Sequence, residues 1–162
     1  MKKGSIIFLR AVIVLIGIVA LAIMIRFPLT EGRAINLDLF SVYSDPFILY
    51  GYLASIPFFI ALYQAFKLLG YIGRNEVFSL SSVKVFRNIK YCAITLSISI
   101  VTAGLYIRIS YVFQNGDGDP AGFLAMCIVA TFISIVVATA AAVFERTTQN
   151  AVDIKSENDL TV

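Results

Sequence analysis

Four long apolar runs constrain this chain more than anything else in it: Ile6–Ile25, Phe47–Leu69, Tyr91–Ile109 and Phe123–Phe144. An α-helix rises about 1.5 Å per residue, so about 20 residues cross the roughly 30 Å hydrocarbon core of a bilayer. No water is available there for backbone N–H and C=O groups, and a helix satisfies them internally. The runs predict spans at about 6–26, 46–69, 86–110 and 120–144. The expected fold is therefore all-α, an integral membrane four-helix bundle in contact with the lipid bilayer. Of the 162 residues, 59% are hydrophobic, above the roughly half that soluble domains carry. No segment outside the runs is long enough to fold alone. One membrane domain over 1–145 and a polar tail over 146–162 are expected.

The charges predict an orientation. With the N-terminus in the cytoplasm, ten basic residues fall inside and only Arg26, Arg33 and Arg108 fall outside. That is a clear positive-inside bias, so both termini are expected to be cytoplasmic. The ten acids divide equally between the two sides, which leaves the inner face positive. The net charge of +3 is thus a matter of topology and anionic lipid, and no direct nucleic-acid binding is expected. Lys2, Lys3 and Arg10 before the first run, with Ala20-Leu21-Ala22 inside it, imitate a secretory signal. Ile23-Met24-Ile25 carry the run past that site, which favours a retained span. Arg10 lies one turn inside the run, where its stem can snorkel to the headgroups.

Little catalytic chemistry is legible. The chain has no His, which removes Ser-His-Asp and Cys-His sets. Cys92 and Cys127 fall toward opposite ends of their helices, too far apart for a disulfide. No metal, haem or other cofactor is expected. Asn115-Gly116-Asp117-Gly118-Asp119 imitates the start of a calcium loop. Pro120 stands where Gly is needed and Met126 where Glu is needed, so a turn is the reading. The spans contain no Asp, Glu or midplane Lys, as a coupled carrier would require. The expectation is a non-enzymatic protein.

Local signals punctuate the runs. The first helix is expected to stop at Arg26-Phe27-Pro28. Asp45-Pro46 and Asp119-Pro120 suit helix starts, since Asp caps free amides and Pro fits the first turn. Pro57 interrupts the second span and is the candidate hinge. Small residues four apart, above all Ala130, Ser134, Ala138 and Ala142, let helices approach closely. They serve either the bundle itself or, in a homo-oligomer, a second protomer.

The connection from Lys67 to Lys90 is the richest loop. Gly70 and Gly73 are expected to end the second helix, and Ser79 or Ser81 to cap the third. Val83, Phe86 and Ile89 share one face, with Lys84, Arg87 and Asn88 on another, as in an amphipathic helix at an anionic leaflet. In the tail, Val152, Ile154, Leu160 and Val162 are candidate anchors for a partner.

Two segments carry a resemblance. Asn75-Glu76-Val77-Phe78-Ser79, followed by Val83, Phe86 and Ile89, is one. The ending Ala151-Val152-Asp153-Ile154-Lys155-Ser156-Glu157-Asn158-Asp159-Leu160-Thr161-Val162 is the other. With four spans in this length, the chain resembles the prokaryotic membrane proteins grouped as DUF2975. The resemblance implies residence in the prokaryotic cytoplasmic membrane. It also implies a genetic setting beside a small helix-turn-helix regulator, and so a small cytoplasmic DNA-binding protein as partner. The expected docking surface is Phe78, Ser79, Lys84 and Arg87 with Asp159, Leu160, Thr161 and Val162. The alternative is a small oligomeric pore or exporter for an amphiphile or peptide, lined by Gln64, Thr95, Ser99 and Thr102.

Overall fold

The computed structural model describes residues 3–30, 46–114 and 121–160. Four helices make up nearly all of them: α1 (Lys3–Thr30), α2 (Pro46–Gly73), α3 (Leu80–Gln114) and α4 (Ala121–Leu160). Each contains a stretch long and apolar enough to cross a membrane, so the all-α, four-span expectation holds. Helices neighbouring in sequence pack side by side, most extensively α3 against α4, then α2 against α3, then α1 against α2. Asp45, Asp119-Pro120 and the Asn115–Asp119 turn lie outside the described residues.

The packing face of α1 has a period of 3.5. Ile6, Arg10, Ile13, Gly17, Ala20 and Met24 are its better-covered positions, with Val12 beside them. This is the spacing that keeps one helix stripe on a neighbour. Gly17 sets the approach, because a Cβ there would stand 3.4 Å from Leu62 Cδ2. Ile7, Leu15, Ile18 and Leu21 face outward, toward lipid tails that solvate them as well as protein would. The helix passes through Ala20–Ala22 unbroken.

It also continues past Pro28 to Thr30, two residues beyond the expected stop. Pro28 has no N–H to give the carbonyl of Met24, four residues back. The Tyr52 hydroxyl on α2 donates to that carbonyl instead, at 3.0 Å. A second hydroxyl, Tyr50, donates to the Ser99 carbonyl on α3 at 2.8 Å. At this end Phe47 stacks on Tyr106 and tilts against Phe123, so one ring touches α3 and α4 together.

The buried core sits at the opposite end. Among the described residues, Ile6, Leu69, Val83, Val85, Ala93 and Ala141 form it, with Ser82, Glu145 and Thr148 as buried polar members. The position follows from solvent: within the bilayer an apolar side chain gains little by turning inward, whereas at the watery end burial is what stabilises it.

Tight joints hold that end. Glu76 N–H donates to the Tyr71 carbonyl and Asn75 N–H to that of Ile72. Asn75 adopts a left-handed φ of 59°. These are the paired bonds of a Schellman motif, with Asn in the position usually given to Gly. Asn75, not Gly70 or Gly73, therefore takes the terminating conformation. The two glycines instead admit α1: a Cβ at Gly73 would meet Ile6 at 3.4 Å, and one at Gly70 would meet the Arg10 guanidinium at 3.1 Å. Four residues after Asn75, the Ser79 hydroxyl accepts from Ser82 N–H and caps α3, so of the two candidate serines it is Ser79 that serves. The fully buried Ser82 hydroxyl donates back to the Glu76 carbonyl.

Candidate functional site

The polar end combines the 74–79 turn, the first turns of α3 and the last four turns of α4. The apolar character of α4 ends near Phe144, yet the helix runs on to Leu160. Its stripe explains the continuation. Cys127, Ser134, Ala138, Ala141, Glu145, Thr148 and Val152 are covered in turn, again at a spacing of 3.5. The small-residue stripe thus faces α3 within the chain. Ala141 is buried, and Gly104 on α3 lies so close that a Cβ there would stand 3.6 Å from Cys127 Cβ. Cys92 and Cys127 are both free thiols.

Where the stripe reaches the polar end, its next member is an acid. Arg87 Nε donates to Glu145 Oε1 at 2.7 Å, and Lys90 Nζ donates to Glu145 Oε2 at 2.6 Å. Arg87 and Lys90 are three apart on one face of α3, so one carboxylate from α4 receives both. The Glu145 side chain is only 11% exposed, which makes the two cations necessary to keep a carboxylate there. Phe86 stacks on Phe144 beside the clamp, centroids 5.6 Å apart. Beyond it the tail helix is bound locally, with Gln149 Nε2 donating to Asp153 Oδ1 and the Ser156 hydroxyl to the Asp153 carbonyl.

The residues singled out from sequence fall into distinct places. Phe78 is exposed on the turn, and Lys84 is exposed on α3. Ser79 is occupied as the α3 cap, and Arg87 is occupied by Glu145. Asp159 and Leu160 close the last turn of α4, their side chains outside the described residues, as are Thr161 and Val162. Pro57 lies within an unbroken α2. Thr95 and Thr102 are exposed on α3, and their hydroxyls donate to the Tyr91 and Ile98 carbonyls of their own helix. Ser99 is half-buried, and its carbonyl receives Tyr50. The Gln64 side-chain oxygen is buried without a hydrogen-bond partner among the described residues.

Two features were missed in the sequence reading. One is Glu145, which entered the sequence argument only as one of the inner-side acids. Its signal was position, since it continues the Ala138–Ala142 stripe by one helical step. The other is Leu80, exposed at 60% at the polar end together with Phe78 at 61% and Ile154 at 61%, two residues singled out from sequence. Elsewhere exposed apolar groups sit in spans that lipid covers, but these three lie on the polar connection and the tail.

Comparisons with known proteins agree with this architecture. The profile of the DUF2975 family, described as proteins of unknown function, matches residues 29–162. An uncharacterized membrane protein of Bacillus subtilis (strain 168), YoaS, is 44% identical over 165 residues, covering 100% of both chains. No solved structure matches. With four membrane-length helices and a full-length bacterial membrane relative, this chain is a multi-pass membrane protein that belongs to the DUF2975 family.

Proposed function

We propose that this protein is a non-enzymatic, membrane-anchored regulator that holds a small soluble protein at the bilayer. The docking surface is the 78–84 elbow together with the tail helix of α4. The observation that carries this reading is the exposure of Phe78, Leu80 and Ile154 beyond the apolar spans. Exposed apolar groups among polar ones are what partner surfaces use. They stand on segments already ordered by the Asn75 turn, the Ser79 cap and the Glu145 clamp, so binding needs little further ordering. Lys84, which is exposed, adds a charge on the same elbow. The genetic setting implied by the family resemblance makes a small helix-turn-helix DNA-binding protein the partner. Both termini, and with them this surface, face the cytoplasm in this reading. Pro57 is the hinge through which helix packing would alter affinity.

The test is affinity purification from native membranes in mild detergent, read by mass spectrometry. Full-length chain is compared with a version ending at Gln149 and with Phe78→Asp and Ile154→Asp. A soluble DNA-binding protein is expected with the full chain and lost, or reduced roughly 10-fold or more, in the other three. Equal recovery with all four defeats the docking reading. Recovery of the chain alone, with solute flux in liposomes that Gln64→Ala or Ser99→Ala changes, would make it a pore.

A further inference from the structure

A cavity of about 340 Å³ opens between α1 and α2 at the polar end, lined by Arg10, Lys67 and Arg74 with the rings of Tyr63, Phe66 and Tyr71. Three positive charges share it. Among the described residues no carboxylate pairs with any of them, whereas Arg87 and Lys90 have Glu145. Arg10 is the innermost. Its guanidinium lies over the Phe66 ring, 5.0 Å from the centroid, in the α1–α2 seam rather than along the outside of α1. Its Nε is buried with no hydrogen-bond partner. Gly70 leaves the guanidinium its room, since a Cβ there would come within 3.1 Å. Lys67 reaches over Tyr71, 5.9 Å from the ring centroid.

Clustered like charges beside low-dielectric surface repel one another, and a buried donor without an acceptor is unfavourable. An anion relieves both. Guanidinium forks match phosphate oxygens, an ammonium adds a point charge, and tyrosine hydroxyls can donate. Immediately beyond the cavity both helices continue as apolar, lipid-exposed spans. Acyl chains attached to a phosphate held here would lie on ordinary bilayer-facing surface.

We propose that this pocket binds the phosphate of an anionic phospholipid headgroup, with Arg10 at its base and Lys67 and Arg74 at its rim. The inference is independent of the docking reading, because it uses other residues and its readout involves no protein partner. Native mass spectrometry of the full chain released from detergent tests it. The probes are phosphatidylglycerol, phosphatidylcholine and inorganic phosphate. Phosphatidylglycerol is expected to be retained over phosphatidylcholine, and Arg10→Gln and Arg74→Gln are each expected to weaken it about 5-fold. Gly70→Leu keeps every charge but fills the guanidinium's space, and is expected to weaken it comparably. Lys155→Gln, on the exposed tail, is expected to leave binding unchanged. Lys67 and Arg74 are exposed, so Lys67→Gln and Arg74→Gln keep the test decisive should Arg10→Gln not fold.

The proposal is overturned if the pocket variants bind phosphatidylglycerol like the parent. It is overturned equally if Lys155→Gln weakens binding as much as they do, which would mark diffuse surface attraction. Equal retention of phosphatidylcholine, or binding of inorganic phosphate without phosphatidylglycerol, also ends the lipid assignment.

Discussion

Tyr52 supplies to Met24 the hydrogen bond that Pro28 cannot. In hydrocarbon an unpaired carbonyl has no water to turn to, so a hydroxyl from the neighbouring helix both repairs α1 and ties it to α2. The pairing makes a sharp expectation. Tyr52→Phe should cost about 1 kcal/mol, in the range of interhelical hydrogen bonds in membranes. In a Pro28→Ala background the restored N–H can take the same carbonyl, and Tyr52→Phe should then cost less than half as much. A double-mutant cycle of unfolding in detergent measures the difference. Equal costs in the two backgrounds would mean that the hydroxyl is not repairing the proline gap. Pro28 was legible in sequence as an interruption, but its remedy was not. Nothing near residue 28 in the chain announces a tyrosine on another helix.

Among the elements, the α3–α4 pair bears the clamp that orders the polar end. Glu145 stands between Arg87 and Lys90. Its removal leaves two unpaired cations side by side on α3, at a seam that also holds buried Ala141 and Thr148. Glu145→Ala should lower stability on the order of 1 kcal/mol. It should also release the helix beyond Asn150, read as faster amide hydrogen exchange over 146–158 than over 121–140. Uniform exchange in both segments would show that the tail helix stands without the clamp. The helices themselves were readable from hydropathy and length, and the Ser79 cap from its spacing to the amphipathic stretch. α2 does end at Gly73, as expected, but the residue that closes it was not read from sequence. Two glycines drew the eye, yet Asn75 takes the left-handed position, because Asn tolerates it locally and the glycines are needed where α1 approaches.

At the scale of the whole molecule, four spans would put both termini on one side, and we propose from the uneven distribution of basic residues that this side is cytoplasmic. A reporter fused after Val162 checks this. A green fluorescent protein fusion should fluoresce and an alkaline phosphatase fusion should be inactive in cells. The reverse pattern would invert the topology and remove the polar end from any cytoplasmic partner. The molecule divides its stabilisation along the bilayer normal: lipid-facing apolar spans with hydroxyl and aromatic ties at one end, and a small buried core with ion pairs at the other.

The amino-acid sequence alone determined the number of helices and the membrane as their solvent, and its resemblance over two segments pointed to the family. The first two follow from composition and spacing within a single segment; the extents of α3 and α4 do not, since α3 starts at Leu80 and α4 runs on to Leu160. Only the tertiary structure decided how each helix is rotated. It alone put Arg10 in a seam beside Gly70, turned the α4 stripe toward α3 and brought Glu145 to Arg87 and Lys90. The reason is that lipid accepts apolar side chains on every face, so hydropathy carries almost no record of which face meets a neighbour. That choice rests on close packing and on a few polar contacts between residues far apart in the chain.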